Sequence, residues 1–290
     1  MDTTTKTLKF SLIIAVLFLS GVHSVHAKDV VLHFNQWFPK DHWSQTQGLY
    51  PWFEEIEKVT EGRVTVAISD QPLASPRKSY QAVVDGAVDI AWGPHGYKPD
   101  RFPLSKIVEQ PFTSHDAGVS SAAYWEIWER FFQPSGMQSD VVTLGMHTSS
   151  GNNIHMRNRS VTNAHEMLYS RLGVHTKTIG HIMGDYGFGY VLSPITQLEE
   201  MLLSNEIQGT VISDDWSIGF NLSELLNTVT HVPGGVSSSS FYIVINKDKW
   251  AMISPSSHSI HFRKTHQSEN GRPMASRKSK STEYSGGRTR

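Results

Sequence analysis

The sequence contains no cysteine, which excludes disulfide staples, thiol nucleophiles and cysteine-ligated zinc and leaves stability to packing alone. It also lacks an overall charge of either sign, with 26 Lys and Arg against 27 Asp and Glu. That balance conceals a division: residues 28–260 hold 16 basic and 24 acidic side chains, whereas residues 261–290 hold eight and two. The apolar run from Phe10 to Leu19 is too short to span a bilayer, because ten residues rise only about 15 Å as helix, half the hydrocarbon core.

What stands around that short run is informative. Lys6 and Lys9 precede it, and the small-residue positions Val25 and Ala27 follow it ahead of Lys28. This order predicts an export signal over residues 1–27, cleaved near Ala27, and places function outside the cytoplasm; a retained anchor is the rival reading. Removing 27 of 290 residues leaves 263, a size at which chains divide into two lobes. The tail, residues 259–290, is basic, polar and poor in positions for an apolar face, so disorder is its expected state. Its scattered basic residues and scarce aromatics argue against a nucleic-acid arm.

Between signal and tail the pattern alternates. VVLHFNQ (30–36) reads as a strand, LYPWFEEIEKVT as a helix with Pro51 in its first turn, and VTVAIS (64–69) as a strand after the Glu61-Gly62-Arg63 turn. A helix over Arg77 to Asp85 and a strand over Val88 to Trp92 repeat the unit, which predicts a mostly parallel sheet covered by helices. AAYWEIWERFF forms an amphipathic helix with Trp125 and Trp128 as core. Strands are expected at Val141 to His147 and Asn153 to Arg157, separated by a lobe crossing at Thr148 to Gly151. Helices at Thr162 to Leu168 and Thr196 to Ser204 and a strand at Gly209 to Ser213 continue the second lobe. FYIVIN (241–246) then returns to the first lobe, and Trp250 opens a last helix. The expected organisation is a first lobe of residues 28–148 plus 237–258 and a second of residues 149–236.

Six segments carry a resemblance: FNQWFPKDHW, TEGRVTVAISDQPLA, YQAVVDGAVDIAWG, RFPLSKIVEQPF, SPITQLEEMLLSNEIQGTV and FYIVINKDKW. In order and spacing they resemble the DctP-type solute receptors of tripartite ATP-independent periplasmic (TRAP) transporters. The resemblance runs from about Val30 to Trp250. It implies a two-lobe periplasmic-binding-protein-like α/β fold with mixed sheets, flanking helices and a cleft. It also implies a periplasmic receptor, without catalysis or cofactor, that closes on a small organic acid and delivers it to the small and large subunits of a membrane permease.

A buried carboxylate is tolerated only when paired and hydrogen-bonded, and the arginine fork does this best. The receptors resembled carry that arginine in a Gly-Leu-Lys-x-Arg pattern, where this chain reads HEMLYSRLGVHT. Register from Val161 places Gly173 on the expected arginine. Arg171 becomes the substitute donor if the strand slips by two residues, which keeps the side-chain face. Arg157, with His155 on the same strand, is a second candidate. Gln208 stands where an Asp is usual, so binding residues after the strand fall to Asp215 and Trp216, beside Asp214. Adjacent acids repel a carboxylate unless an arginine or metal intervenes; they suit a cationic group or calcium instead, although two acids without further oxygen ligands are a weak metal signal. In the first lobe Asn35, Trp37, Trp92 and His95 follow strands at the edge where open parallel sheets bind ligands. Tryptophan there offers a stacking face.

Two other readings remain. A periplasmic hydrolase would use a histidine with Asp89 or Asp214, but no Gly-x-Ser-x-Gly elbow or His-Glu-x-x-His motif is present. The receptors resembled continue well past the Asn-Lys-x-Trp strand, so the short polar ending here predicts weaker bracing of the lobes and a decayed receptor with weak or no binding.

Overall fold

The computed structural model describes residues 30–253. The expected export segment and basic tail lie outside the described residues. Strand β1, Val30–Phe34, alternates buried and exposed positions, and helix α1, Tyr50–Val59, buries Trp52, Phe53 and Ile56 with Pro51 in its first turn. Glu61 and Gly62 take positive φ and turn the chain into β2, Val64–Ile68, parallel to β1. A short 3-10 turn over Pro76–Lys78 delays helix α2 to Ser79–Val84. Strand β3, Ile90–Pro94, is also parallel to β1. Helix α3, Ala117–Ile127, starts where the Asp116 carboxylate accepts from the Val119 amide, and β4, Val142–Thr148, ends the first pass through this lobe.

The chain then builds β5 (Asn153–Met156), α4 (Ala164–Met167), β6 (Leu172–Val174), α5 (Lys177–Asp185), β7 (Tyr190–Leu192), α6 (Leu198–Leu203), β8 (Gly209–Ile212), α7 (Asp214–Gly219) and β9 (Thr228–Thr230). It returns as β10, Ser240–Ile245, and ends its described part in α8, Lys247–Met252. Helix α8 begins three residues before Trp250 because the Asn246 side chain caps the Asp248 and Lys249 amides. Two five-stranded sheets result, ordered β2-β1-β3-β10-β4 and β7-β6-β8-β5-β9. The α/β two-lobe class stands as expected, and β10 runs antiparallel to both neighbours, so the first sheet is mixed rather than mostly parallel.

Strand β10 shows how the first sheet divides the core. Phe241, Ile243 and Ile245 face a cluster with Phe34, Trp92 and, from the other sheet's side, Leu198 and Trp216. Tyr242 and Val244 face the opposite cluster with Tyr80, Phe102 and Tyr124. The first face therefore looks toward the second lobe.

Two chain segments cross between the sheets side by side. Ser149 N donates to Ser239 O at 2.8 Å, Asn152 N to Ser237 O at 2.8 Å and Val236 N to Asn152 O at 2.9 Å. The backbones touch at Gly151 and Gly235: a Cβ on Gly151 would lie 2.8 Å from Gly235 Cα, and Gly235 holds φ +81°. Only glycine fits that close approach.

Candidate functional site

Strand register collects aromatic rings on the inward face of the first sheet. Phe241 lies opposite His147 in the β10–β4 pairing, and their rings stack at 4.7 Å and 7°. Trp92 sits two positions along the same face, stacked on Phe241 at 5.3 Å, and its Nε1 donates to His147 Nε2 at 2.7 Å. Trp37, just past β1, stacks on Trp92 at 5.8 Å and donates from Nε1 to the Trp92 carbonyl at 2.8 Å. These indole bonds fix a flat apolar wall. Trp216, on α7 of the second lobe, closes against it, 5.3 Å from Phe241 and 5.0 Å from Phe38. His175, directly after β6, lies 5.3 Å from Trp216. Its Nδ1 is buried without a partner, and burial lowers its pKa to about 4, so the ring is neutral at pH 7.

Beside this wall an open cavity of about 370 Å³ lies between the lobes, lined by Gln36, Trp37, Phe38, Thr196 and Phe220 among others. Lys40 and Asp70, paired at 2.6 Å, and Glu199 also line it. Gln36 Oε1 is buried there without a partner.

The sequence candidates distribute unevenly. Trp37, Trp92 and Trp216 meet at the cleft. Asn35 is fully buried, and its amide is taken up by the scaffold: Nδ2 donates to Ala74 O at 3.1 Å and Ser79 Oγ at 2.7 Å, while Oδ1 accepts from Ala74 N at 2.9 Å. His95 falls on the opposite side of the sheet, edge-on to Phe102, Tyr124 and Tyr242. It is held by Ser240 Oγ and Gln138, and burial lowers its pKa to about 3. His155 shares a β5 face with Asn153, and both reach Asp214: His155 Nε2 lies 3.1 Å from Oδ1, and Asn153 Nδ2 donates to it at 2.9 Å. Asp215 accepts from Ser150 Oγ at 3.0 Å, tying α7 to the lobe crossing. Burial pushes the Asp215 carboxyl up, against the hydrogen bonds from Ser213 and Ser150.

No protein-family model matches the chain. The outer membrane transporter protein TsaT of Comamonas testosteroni is 26% identical over 207 residues, covering 70% of this chain and 61% of that protein. The chain thus spans less than two thirds of that curated relative. Among solved structures, a TRAP periplasmic solute-binding protein of Bordetella bronchiseptica with bound (R)- and (S)-mandelate superposes with a TM-score of 0.79 at 26% identity, over 86% of this chain and 78% of that one. A marine-metagenome TRAP solute-binding protein specific for aromatic acid ligands, in complex with 3-hydroxybenzoate, gives 0.75 at 24% identity, over 82% and 75%. One from Rhodoferax ferrireducens with copurified benzoate gives 0.75 at 21% identity, over 81% and 74%. The chain has the TRAP solute-binding fold and resembles the Comamonas and Bordetella bronchiseptica proteins in sequence.

In this TRAP-type fold the two expected arginines are misplaced for a cleft ligand. Strand β6 runs toward the cleft, so Arg171, at its start, stands about 13 Å from His175 at its end. Arg171 instead frames Gln208, whose side chain accepts from the Arg171 amide at 2.9 Å. Strand β5 runs antiparallel to β8 and therefore away from the cleft, which carries Arg157 to the same far end. There its Nη1 donates to Leu202 O at 2.6 Å and Asn205 Oδ1 at 3.2 Å, capping the end of α6. Position 173 is closely packed, and a side chain there would have to displace Ile207 and Leu198, since a Cβ would lie 2.7 Å from Ile207 Cδ1 and 2.8 Å from Leu198 Cδ2.

The structure also gathers residues that sequence reading did not single out. Phe38, His147 and Phe241 line the wall and His175 contacts Trp216 opposite it; the pairing of β4 with β10 is the signal that would have found His147 and Phe241. Arg77, half-buried in the Pro76–Lys78 turn, lies with its guanidinium carbon 5.9 Å from the Tyr97 ring centroid. Arg77 Nε and the Tyr97 hydroxyl are both buried without partners, and Tyr97 lies 6.2 Å from Trp37. Among the described residues no helix is long and apolar enough to cross a membrane.

Proposed function

We propose that the chain is a periplasmic receptor that closes its lobes, residues 28–148 plus 237–258 and 149–236, on a small organic acid and presents it to the small and large subunits of a TRAP-type permease. The observation that carries this reading is the aromatic wall of Trp37, Trp92, His147 and Phe241 on one lobe, met by Trp216 from the other. An aromatic surface with one half on each lobe suits an acid with an aromatic body once the lobes part to admit it. The mandelate, 3-hydroxybenzoate and benzoate bound by the structural relatives support the same class. Closure turns on the paired crossings at Gly151 and Gly235, and the protein acts by capture without chemical change of its ligand.

A thermal melt of the purified protein with benzoate, mandelate and 3-hydroxybenzoate tests this. At a hundredfold excess over Kd a ligand of the native state stabilises by about 2.7 kcal/mol, a rise of roughly 5–10 °C for a chain of this size. An unchanged melting temperature with all three acids, and with a wider panel of small organic acids, counts against the receptor reading.

A further inference from the structure

The aromatic wall accounts for the body of such a ligand but leaves its carboxylate without a cation, since Arg157 and Arg171 sit at the far end of the second sheet. The cavity at the wall's edge does not supply one: its Lys40 is neutralised by Asp70, and Glu199 adds a further negative charge beside them. Arg101 is likewise paired, with Asp140. Arg77 has no ion pair or hydrogen-bond acceptor among the described residues. Its Nε, a buried donor, and the buried hydroxyl of Tyr97 beside it are both unsatisfied, at the carboxyl edge of parallel β1, β2 and β3, where an open sheet presents its ligand. Unsatisfied buried donors are costly to the empty protein and find a natural partner in an anion.

We infer that Arg77 and Tyr97 form the carboxylate anchor of the cleft, so that the first lobe alone grips the acid group and the preferred ligand is an aromatic monocarboxylate lying against Trp37. The inference rests on the receptor reading above. The arginine fork meets one or both carboxylate oxygens while the phenol donates a further bond. Burial raises the Tyr97 pKa, which keeps that hydroxyl a donor. With a single cation at the anchor, a second carboxylate on the ligand would be left unpaired, so a dicarboxylate is disfavoured.

Titration calorimetry of the purified chain with benzoate, mandelate and 3-hydroxybenzoate, each against its primary amide, tests the anchor. The wild-type protein is expected to bind the acids at least about tenfold more tightly than the amides, the discrimination expected of a charged hydrogen bond. Arg77→Gln removes that preference while the amides bind as before, Arg77→Lys retains part of it, and Tyr97→Phe weakens acid binding alone. Arg171→Gln, at the far end, leaves acid binding intact. Ligand-free melts of each variant establish that it is folded. Equal acid affinity in Arg77→Gln and wild type overturns the anchor and leaves the receptor standing. If wild type binds neither acids nor amides, both proposals fall.

Discussion

His42, His95 and His175 are each withdrawn from water, and burial lowers their pKa values to about 4, about 3 and about 4. In the unfolded chain these rings titrate near 6.5. Between that value and the folded one the unfolded state binds a proton that the folded state refuses, so stability falls as pH drops below about 6.5. Each ring contributes a slope of up to about 1.4 kcal/mol per pH unit. Glu109 and Asp215, whose carboxyls burial raises, act in the opposite sense: their stabilisation is present at low pH and is lost as pH rises through their folded values. His95→Gln isolates one ring from this mixture. Melts from pH 7 to pH 5 are expected to show a shallower dependence in this variant, by about one proton, and an unchanged slope would mean that His95 is not held neutral. At this scale the sequence announced which residues follow strands but not which way they face. Trp92 and His95 are three residues apart, and the change of face along β3 sends one to the cleft and the other to the opposite core. Asn35, equally well placed in sequence, turns inward to brace the Ala74 backbone, and Arg77, expected to open a helix, lies instead in the Pro76–Lys78 turn ahead of it.

Among the elements, the paired crossings are the covalent and hydrogen-bonded link between the two sheets, and the proposed closure turns on them. They form a two-stranded ribbon continuous with the β4–β10 pairing, in which Asn152 Nδ2 also donates to Ser237 Oγ at 2.9 Å. Gly235 is the position with least freedom: its φ is +81°, and a Cβ would fall 2.6 Å from both Gly151 Cα and Ser237 O. Gly235→Ala is expected to cost about 1–3 kcal/mol in strain, with more from the contact, and to impair closure as well as stability. Urea unfolding and ligand titration on the same preparation check both effects. A variant as stable as wild type would show that the ribbon relaxes freely. Val30–Phe34 and Tyr50–Val59 were legible because each gathers its apolar residues on one face, and Ser240–Ile245 because its continuous apolar run is buried on both. Strand β6 has three residues, one of them Gly173, and α5 reads KTIGHIMGD with two glycines, so neither announces itself by period. Gly180 of α5 is packed against Tyr190, where a Cβ would lie 2.8 Å from the ring; that tertiary contact is invisible along the chain.

For the whole molecule, the question is which contacts exist only when the lobes are together. Trp216 touches Phe38 and Phe241 across the cleft, while His175 and Phe220 contact it from its own lobe. Its removal therefore divides into two costs. Loss of packing within the second lobe lowers stability with or without ligand, whereas loss of the cross-cleft contacts weakens only the closed form. Lobe closure draws on binding energy, so the second cost appears as lost affinity. Trp216→Ala is expected to weaken acid binding by about 2 kcal/mol or more, roughly 30-fold, as for a central aromatic anchor. Small-angle scattering separates the two effects, because added ligand should compact the wild-type protein and fail to compact the variant at equal occupancy. A variant that compacts fully would place the latch elsewhere, with Phe38 and Phe220, 4.7 Å apart across the same seam, as the next pair to truncate.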